Sequence, residues 1–438
     1  MSERNQLRKR RASPVENDRS KTEAKHEPTR EHSLTDTSRT WRFYVRWFSR
    51  FAIVIVLILS NARLVTIPNR TREPQSETTA LLVITHSRSE YLTKCLESIL
   101  KAHPRNGEWP IIVSMDRQDG EDHVEVADVV EKASRQANAL GIGLYPWVHA
   151  LSYENDVEKG KAFVDTIAYR RISRHYEWAL TRVFGRGIRE NAALPRVVIV
   201  EDDMQVAADF FSYFDALTPL LETDETLFCV SAWNDNGIQA LAQNATQLHR
   251  TDFFPGLGWM LTRELWEELG PKWPKMFWDD WMRSTDQTKG RQCIRPEMSR
   301  TANFGEKGVS QSFHFKKHVS QVALADEKVD FSGLDLGYLE AERYHDYVFS
   351  RMSKAVYLKY SNYLTTRPQD RDVIAVYHED FLEPITKRTG VMGDHRNGMK
   401  RTSYKGMIII PWNGNWAFIV QKGWTPPEGY QLGSEVCC

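Results

Sequence analysis

The apolar run Val198-Ile-Val200 leads directly into Glu201-Asp202-Asp203. Three adjacent carboxylates repel one another, and burying them is costly unless a cation compensates. Oxygen ligands favour a hard divalent ion such as Mn²⁺ or Mg²⁺, which keeps open positions for the phosphates of a nucleotide. The plain alternative is a solvated acidic loop. The buried strand in front of the acids weighs against it. A second chemical candidate is Phe277-Trp-Asp-Asp-Trp-Met-Arg283. Two acids between tryptophans suit a sugar platform with a general base, whose pKa the apolar surroundings would raise. The alternative is a helix start with Asp279 or Asp280 as its cap. The sequence has no G-x-x-x-x-G-K-[ST] phosphate loop, no G-x-G-x-x-G after a first strand and no G-x-S-x-G elbow. Its nearest glycine pair, Gly256-Leu-Gly-Trp259, reads as a tight turn.

The elements that must position these residues alternate. Ala80–Thr85, Pro110–Met115, Gly143–His149, Arg196–Val200 and Leu227–Ser231 read as strands. Glu90–Lys101, Asp122–Leu140, Lys161–Phe184 and Phe210–Leu221 read as helices. This order predicts an α/β domain with a mostly parallel sheet. Ligands of such sheets bind beyond the carboxyl ends of the strands, where Arg88, Asp116 and Glu201–Asp203 fall. Residues 306–340 are loop-like. Apolar runs at 373–377, 407–410 and 416–420 predict a smaller C-terminal domain over 341–438.

The chain has 438 residues, 41% of them hydrophobic and 26% charged, which fits a globular protein of about two or three domains. That composition argues against a disordered chain, a collagen and a multi-pass membrane protein. A net charge of zero argues against a nucleic-acid partner held by bulk positive charge. The five cysteines form no C-x-x-C zinc pattern. The charge is unevenly spread: residues 1–50 hold 13 basic and 7 acidic side chains, so the rest carries −6. Residues 1–46 read as a disordered cytoplasmic tail. Residues 47–67 reach the length of about 20 needed for a single transmembrane helix. Arg42, Arg46 and Arg50 put the N-terminus on the cytoplasmic side, and Trp41, Phe43, Tyr44, Trp47 and Phe48 form an aromatic belt. A cleaved signal peptide or a buried core strand are the alternatives. A stem over 68–79 precedes the catalytic region over 80–305. Two N-x-[ST] sequons, at Asn69 and Asn244, are open to glycosylation on the far side of the membrane.

Five downstream runs join the acid motif: Arg250-Thr-Asp-Phe-Phe-Pro-Gly-Leu-Gly-Trp259, Pro271-Lys-Trp-Pro-Lys275, Phe277–Arg283, Cys293-Ile-Arg-Pro-Glu297 and Phe304-Gly-Glu-Lys-Gly-Val-Ser310. Together they closely resemble the alpha-1,3-mannosyl-glycoprotein 2-beta-N-acetylglucosaminyltransferase (N-acetylglucosaminyltransferase I) family, most strongly over 80–340. The resemblance implies a GT-A nucleotide-sugar fold, a type II Golgi membrane anchor, UDP-GlcNAc as donor and Mn²⁺ as cofactor. It implies inverting transfer of GlcNAc to the 2-hydroxyl of the alpha-1,3-linked mannose of a Man5GlcNAc2 N-glycan on a high-mannose glycoprotein. By the same resemblance Asp203 ligates Mn²⁺, while Glu201 and Asp202 hold the ribose and GlcNAc. Arg88, Asp116 and His175 lie near the nucleotide. Gly308, Val309 and Ser310 belong to a loop that closes over the diphosphate. Leu257 and Trp278 wall the GlcNAc pocket, and Asp279 is the catalytic base, with Asp280 as fallback. Cys229 and Cys293 match a family disulfide and Cys95 an unpaired cysteine. His86 and Arg117 stand where the family has a second disulfide. The tail is longer than the family's usual one, and the terminal Cys437-Cys438 has no assigned role. The related protein O-mannose beta-1,2-GlcNAc-transferase is the alternative enzyme, but its additional N-terminal domain has no room here. A non-catalytic lectin on the same fold is the alternative of another class.

Overall fold

The first strand, β1 (Thr79–Thr85), is buried on both faces. Its side chains divide by parity, as the pleat requires. Leu81 and Val83 pack with helix α1 (Ser89–Ala102), while Ala80, Leu82 and Ile84 pack on the opposite face. Two covered faces account for a continuous apolar run instead of an alternating one. The computed structural model describes residues 78–118, 123–151, 164–188, 193–306, 308, 315, 318–358, 371–377 and 382–431. The expected tail and anchor, and the expected stem as far as residue 77, lie outside them. No helix among the described residues is long and apolar enough to cross a membrane. The chain divides into two units, Met1–Glu73 and Pro74–Cys438, and the described residues belong to the second.

The elements continue as β2 (Ile111–Gln118), α2 (Val124–Ala139), β3 (Leu144–Leu151), α3 (Val164–Gly185), β4 (Arg196–Glu201), β5 (Met204–Val206), α4 (Phe210–Thr223) and β6 (Leu227–Ser231). Then follow β7 (Leu248–Thr251), β8 (Trp259–Thr262), α5 (Arg263–Leu269), α6 (Trp278–Met282), α7 (Thr285–Thr288), β9 (Gln292–Pro296) and β10 (Thr301–Asn303). The main sheet has eight strands in the order β3-β2-β1-β4-β8-β6-β9-β7. Strands β1 to β4 are parallel, β8 runs against both β4 and β6, and β7 runs against β9. Register decides what meets at the carboxyl ends. Ile84 pairs with Glu201, Thr85 with Met115, and Asp116 with His149. The ends of all four parallel strands therefore lie side by side.

Two strand readings change. Strand β2 does not stop at Met115, because pairing with β3 continues through Arg117 and Gln118. The short strands β7, β8 and β9 were not foreseen. Each is only four or five residues long, with no alternation to reveal it. Helix α3 starts at Val164, and the expected start at Lys161 lies outside the described residues.

The C-terminal part contains α8 (Ala341–Met352), β11 (Val356–Leu358), β12 (Val373–Tyr377), α9 (Leu382–Thr389), the hairpin β13 (His395–Arg396) and β14 (Met399–Lys400), β15 (Ser403–Tyr404), β16 (Met407–Trp412) and β17 (Asn415–Gln421). All three apolar runs read from the sequence are strands of a five-stranded sheet, β11-β12-β17-β16-β15. Ile409, Trp416 and Phe418 share one core with Val230, Leu248 and Met260 of the main sheet. The boundary near 341 is thus one of sheets, not of cores.

Cys229 on β6 and Cys293 on β9 are register partners joined by a disulfide, and Cys95 is a buried thiol. The bridge closes a loop with a sequence separation of 64. Replacing both cysteines with alanine is expected to lower the unfolding free energy by about 4 kcal/mol, the loop-entropy value for such a loop. Urea titration of the purified double variant checks this, and an unchanged midpoint would contradict it.

Candidate active site

Strand β4 delivers its three acids in three directions. The hydroxyl of Tyr176, from α3, donates to Glu201 Oε1 at 2.8 Å. Thr85 Oγ1, at the end of β1, donates to Asp202 Oδ2 at 2.8 Å. Arg88, at the entry to α1, spans the other two: Nη2 pairs with Asp202 Oδ1 and Nη1 with Asp203 Oδ2 at 2.8 Å. Asn303 Nδ2, from β10, donates to Asp203 Oδ1 at 3.0 Å. A guanidinium supplies part of the counter-charge, since Arg88 pairs with two of the three acids, and the described residues hold no group of three metal-ligating side chains.

The electrostatics follow from burial. Glu201 is pushed up to about 7, first by desolvation and then by Asp203, against the Tyr176 hydrogen bond and Arg88. Desolvation also raises Asp202, against Arg88. For Arg88 burial works to lower the pKa, but Asp203, Asp202 and Glu201 together raise it and keep it charged.

Asp203 leaves β4 through a tight turn into β5, which pairs with β10 so that Met204 faces Asn303. Beyond β10, Phe304 N donates to Asp203 O at 2.9 Å, and Gly305 lies against the same carboxylate. A Cβ at Gly305 would stand 2.2 Å from Asp203 Oδ2. The missing side chain therefore lets the backbone close against that oxygen, and a larger residue would have to displace the carboxylate. Asp203 is the one acid of the three whose carboxylate lies at this loop, where a hard cation needing a single protein carboxylate would take it. A Cβ added at Gly308 would be 3.7 Å from Arg88 Nη1, so the loop expected to close over a diphosphate starts beside the acids. Val309 and Ser310 lie outside the described residues.

Asp116 and His175 meet in a second cluster one strand away. His149 Nδ1 donates to Asp116 Oδ1 at 2.7 Å. His175 Nε2 lies 2.8 Å from Ser114 Oγ, and its ring stacks on His149 at 5.3 Å. Burial is the largest influence on Asp116 and opposes its ionisation, but the His149 hydrogen bond and the neighbouring imidazoles of His175, His149 and His86 together outweigh it and keep the carboxyl below its ordinary range. Complete burial pulls His175 down to about 3, so it is neutral at physiological pH. His86 Nδ1 donates to Asp116 O at 3.0 Å.

Asp279 sits in the first turn of α6, preceded by Phe277 in the left-handed region at φ 53°. Phe277 holds the cap position and no side chain caps the helix, so neither Asp279 nor Asp280 does. Trp278 is 8% exposed and packs inward, against Tyr176 at 4.3 Å, Trp259 at 5.9 Å and Trp273 at 6.0 Å. Its neighbour Asp279 has a side chain 43% exposed. The apolar surroundings expected for this acid therefore surround the tryptophan and not the carboxylate. Arg283 Nη1 pairs with Asp279 Oδ2 at 2.7 Å and with Asp280 Oδ1 at 3.0 Å. Asp279 Oδ1 accepts no hydrogen bond from the described residues. Asn397 in the β13–β14 hairpin donates to Asp280 O at 2.6 Å.

Tyr176 ties the two motifs together. Its phenol is raised well above the usual value by burial, then by Glu201, and further by the negative charges of Asp203 and Asp279. Its ring stacks on Trp278. Leu257 lies between Gly256 and Gly258, all three at positive φ, and its carbonyl accepts from Thr301 Oγ1 at 2.7 Å. The glycine pair is thus the tight turn read from the sequence. Sequence reasoning missed Thr85, His149, Tyr176, Asn303 and Gly305. Only Tyr176 carried a signal, being adjacent to His175.

Gly305→Ala is expected to leave the fold intact and to weaken joint binding of Mn²⁺ and a nucleoside diphosphate at least about tenfold, roughly 1.4 kcal/mol. Calorimetric titration measures it. Wild-type affinity would show that the placement of Asp203 against Gly305 does not matter for binding.

Comparison with known proteins agrees with the motifs. The model of the GNT-I family matches residues 58–428. An alpha-1,3-mannosyl-glycoprotein 2-beta-N-acetylglucosaminyltransferase of Arabidopsis thaliana is 36% identical over 343 residues, covering 78% of this chain and 73% of the relative. Among solved structures, the mannosyltransferase PcManGT from Pyrobaculum calidifontis, in complex with GDP-Man and Mn²⁺, is 17% identical with a TM-score of 0.30. That match covers 51% of this chain and 56% of the other. S. aureus TarS 1-349 in complex with UDP-GlcNAc is 14% identical with a TM-score of 0.32, covering 59% and 62%. The match over most of its length and the identity to the plant enzyme place this chain in the GNT-I family.

Proposed function

We propose that this chain is an inverting glycosyltransferase of GT-A type. It moves GlcNAc from UDP-GlcNAc in beta-1,2 linkage to the alpha-1,3-linked mannose of a Man5GlcNAc2 N-glycan. Its compartment is the Golgi lumen, reached through a single-pass anchor at 47–67. One observation carries the reading: the Tyr176 hydroxyl bonds Glu201 while its ring stacks on Trp278, the residue before Asp279. A donor-side acid cluster and an exposed base thus share one neighbourhood, which a one-step displacement requires.

Asp203 would hold Mn²⁺ through its carboxylate, which the backbone at Gly305 packs against. When bound, the ion supplies charge neutralisation for the diphosphate leaving group. The chain's own residues do the rest. Glu201 and Asp202 are fixed by Tyr176, Thr85 and Arg88, so they present oriented acceptors to sugar and ribose hydroxyls. Arg88 keeps a cation beside the donor's anionic portion. Asp116, ionised and oriented by His149, accepts from the N–H of a base, and neutral His175 adds no charge beside it. Asp279 takes the proton of the acceptor hydroxyl as its oxygen attacks C1. Arg283 pins Oδ2 and leaves Oδ1 for that proton. A single carboxylate opposite the leaving group inverts the anomeric centre and needs no protein nucleophile.

Asp279→Asn removes the base while keeping size and the Arg283 contact. Transfer should fall by about 10²–10⁴-fold, with UDP-GlcNAc affinity within about twofold of wild type. Turnover of the variant near the wild-type rate would defeat the assignment. Dialysis against a chelator should abolish transfer, and Mn²⁺ should restore it. Full activity in the chelated protein would remove the metal from the account.

A further inference from the structure

The sequon Asn244-Ala-Thr246 lies outside the machinery described above, on the loop before β7. Its backbone is pinned from behind by buried groups. Glu297, 3% exposed, accepts from Gln243 N at 2.9 Å and from Asn244 N at 2.7 Å. Fully buried Arg300 donates through Nη2 to Ala245 O at 2.5 Å, and Glu297 N donates to Gln247 O at 2.9 Å. Ala245 points into the core, while Asn244 and Thr246 point to solvent. Asn244 Oδ1 accepts from Thr246 N at 2.9 Å and Thr246 Oγ1 at 2.8 Å. Its Nδ2 donates to none of the described residues. The loop's backbone needs are met without the amide nitrogen, so a bulky substituent there costs the fold no hydrogen bond.

We propose that Asn244 carries an N-linked glycan. The proposal rests on the lumenal reading above, because the modifying chemistry operates on that side of the membrane. The co-reactant is an oligosaccharide on a lipid diphosphate. Asn244 Nδ2 bonds to C1 of its first sugar, the C1–O bond to the diphosphate breaks, the amide nitrogen gives up one proton and the lipid diphosphate leaves. The exposed Thr246 hydroxyl, adjacent to the amide, is the third residue that the reaction requires. The product leaves a high-mannose glycan on a rigid loop, of the same chemical class as the enzyme's own proposed acceptor.

The test expresses the full chain in a eukaryotic host, with a reporter sequon appended after Cys438. Peptide N-glycosidase F releases the glycan and turns the modified Asn into Asp, which peptide mass spectrometry locates. The expected result is a mobility shift of one glycan at Asn244, lost in Asn244→Gln and in Thr246→Ala, and kept in Thr246→Ser. Transfer activity of Asn244→Gln should stay within about twofold of wild type, since the residue touches nothing in the site. A glycosylated reporter with an unmodified Asn244 peptide would overturn the site alone. An unmodified reporter together with an unmodified Asn244 would overturn the site and the lumenal orientation at once.

Discussion

The paired contact of Arg88 with Asp202 and Asp203 is the interaction on which the site depends. Three acids cannot share the end of a buried strand without a counter-charge, and a buried ion pair is tolerated only when its remaining hydrogen bonds are met. Both conditions hold here. Arg88 supplies the charge, Thr85 and Asn303 take up the other oxygens of Asp202 and Asp203, and Tyr176 bonds Glu201 Oε1. The pairing of β1 with β4 makes this possible, since it sets Ile84 opposite Glu201 and brings the residues after β1 over the acids. A shift of one residue would turn the apolar sides of both strands to the wrong layers.

From this junction the structure reaches Asp279, the proposed base, through aromatic packing. Tyr176 holds Glu201 with its hydroxyl and stacks its ring on Trp278, which precedes Asp279. The tryptophan is buried among Tyr176, Trp259 and Trp273, so α6 is fixed from its inner side. Phe277 contributes the turn by adopting a left-handed conformation, a cost of the order of 1 kcal/mol that stable packing can offset. The exposed side of the same short helix carries Asp279. Rigidity on one face and solvent access on the other are what a general base requires.

Much of this was legible in the residues. The continuous apolar runs of β1, β2 and β4 announced a covered parallel sheet, and the strand ends named the right neighbourhood for Arg88, Asp116 and Glu201–Asp203. The three C-terminal runs were strands as read. The partners of the acids were not legible, because Asn303 and Gly305 lie about a hundred residues downstream and only the β5–β10 pairing brings them to Asp203. The environment of Asp279 was misjudged for a related reason. Flanking tryptophans suggest an apolar surrounding, but a helix sends neighbours at i and i+1 in different directions, so Trp278 is in the core and Asp279 at the surface. Short strands such as β8 leave no periodic signal at all.

The central claim is that one exposed carboxylate works opposite a buried donor cluster in a single displacement. The most direct measurement is the anomeric configuration and linkage of the product formed by the purified protein from UDP-GlcNAc, Mn²⁺ and Man5GlcNAc2, determined by proton NMR. The account predicts a beta linkage to the 2-hydroxyl, inverted from the alpha configuration of the donor. An alpha-linked product would require a protein nucleophile or a front-face path, and would contradict the role given to Asp279.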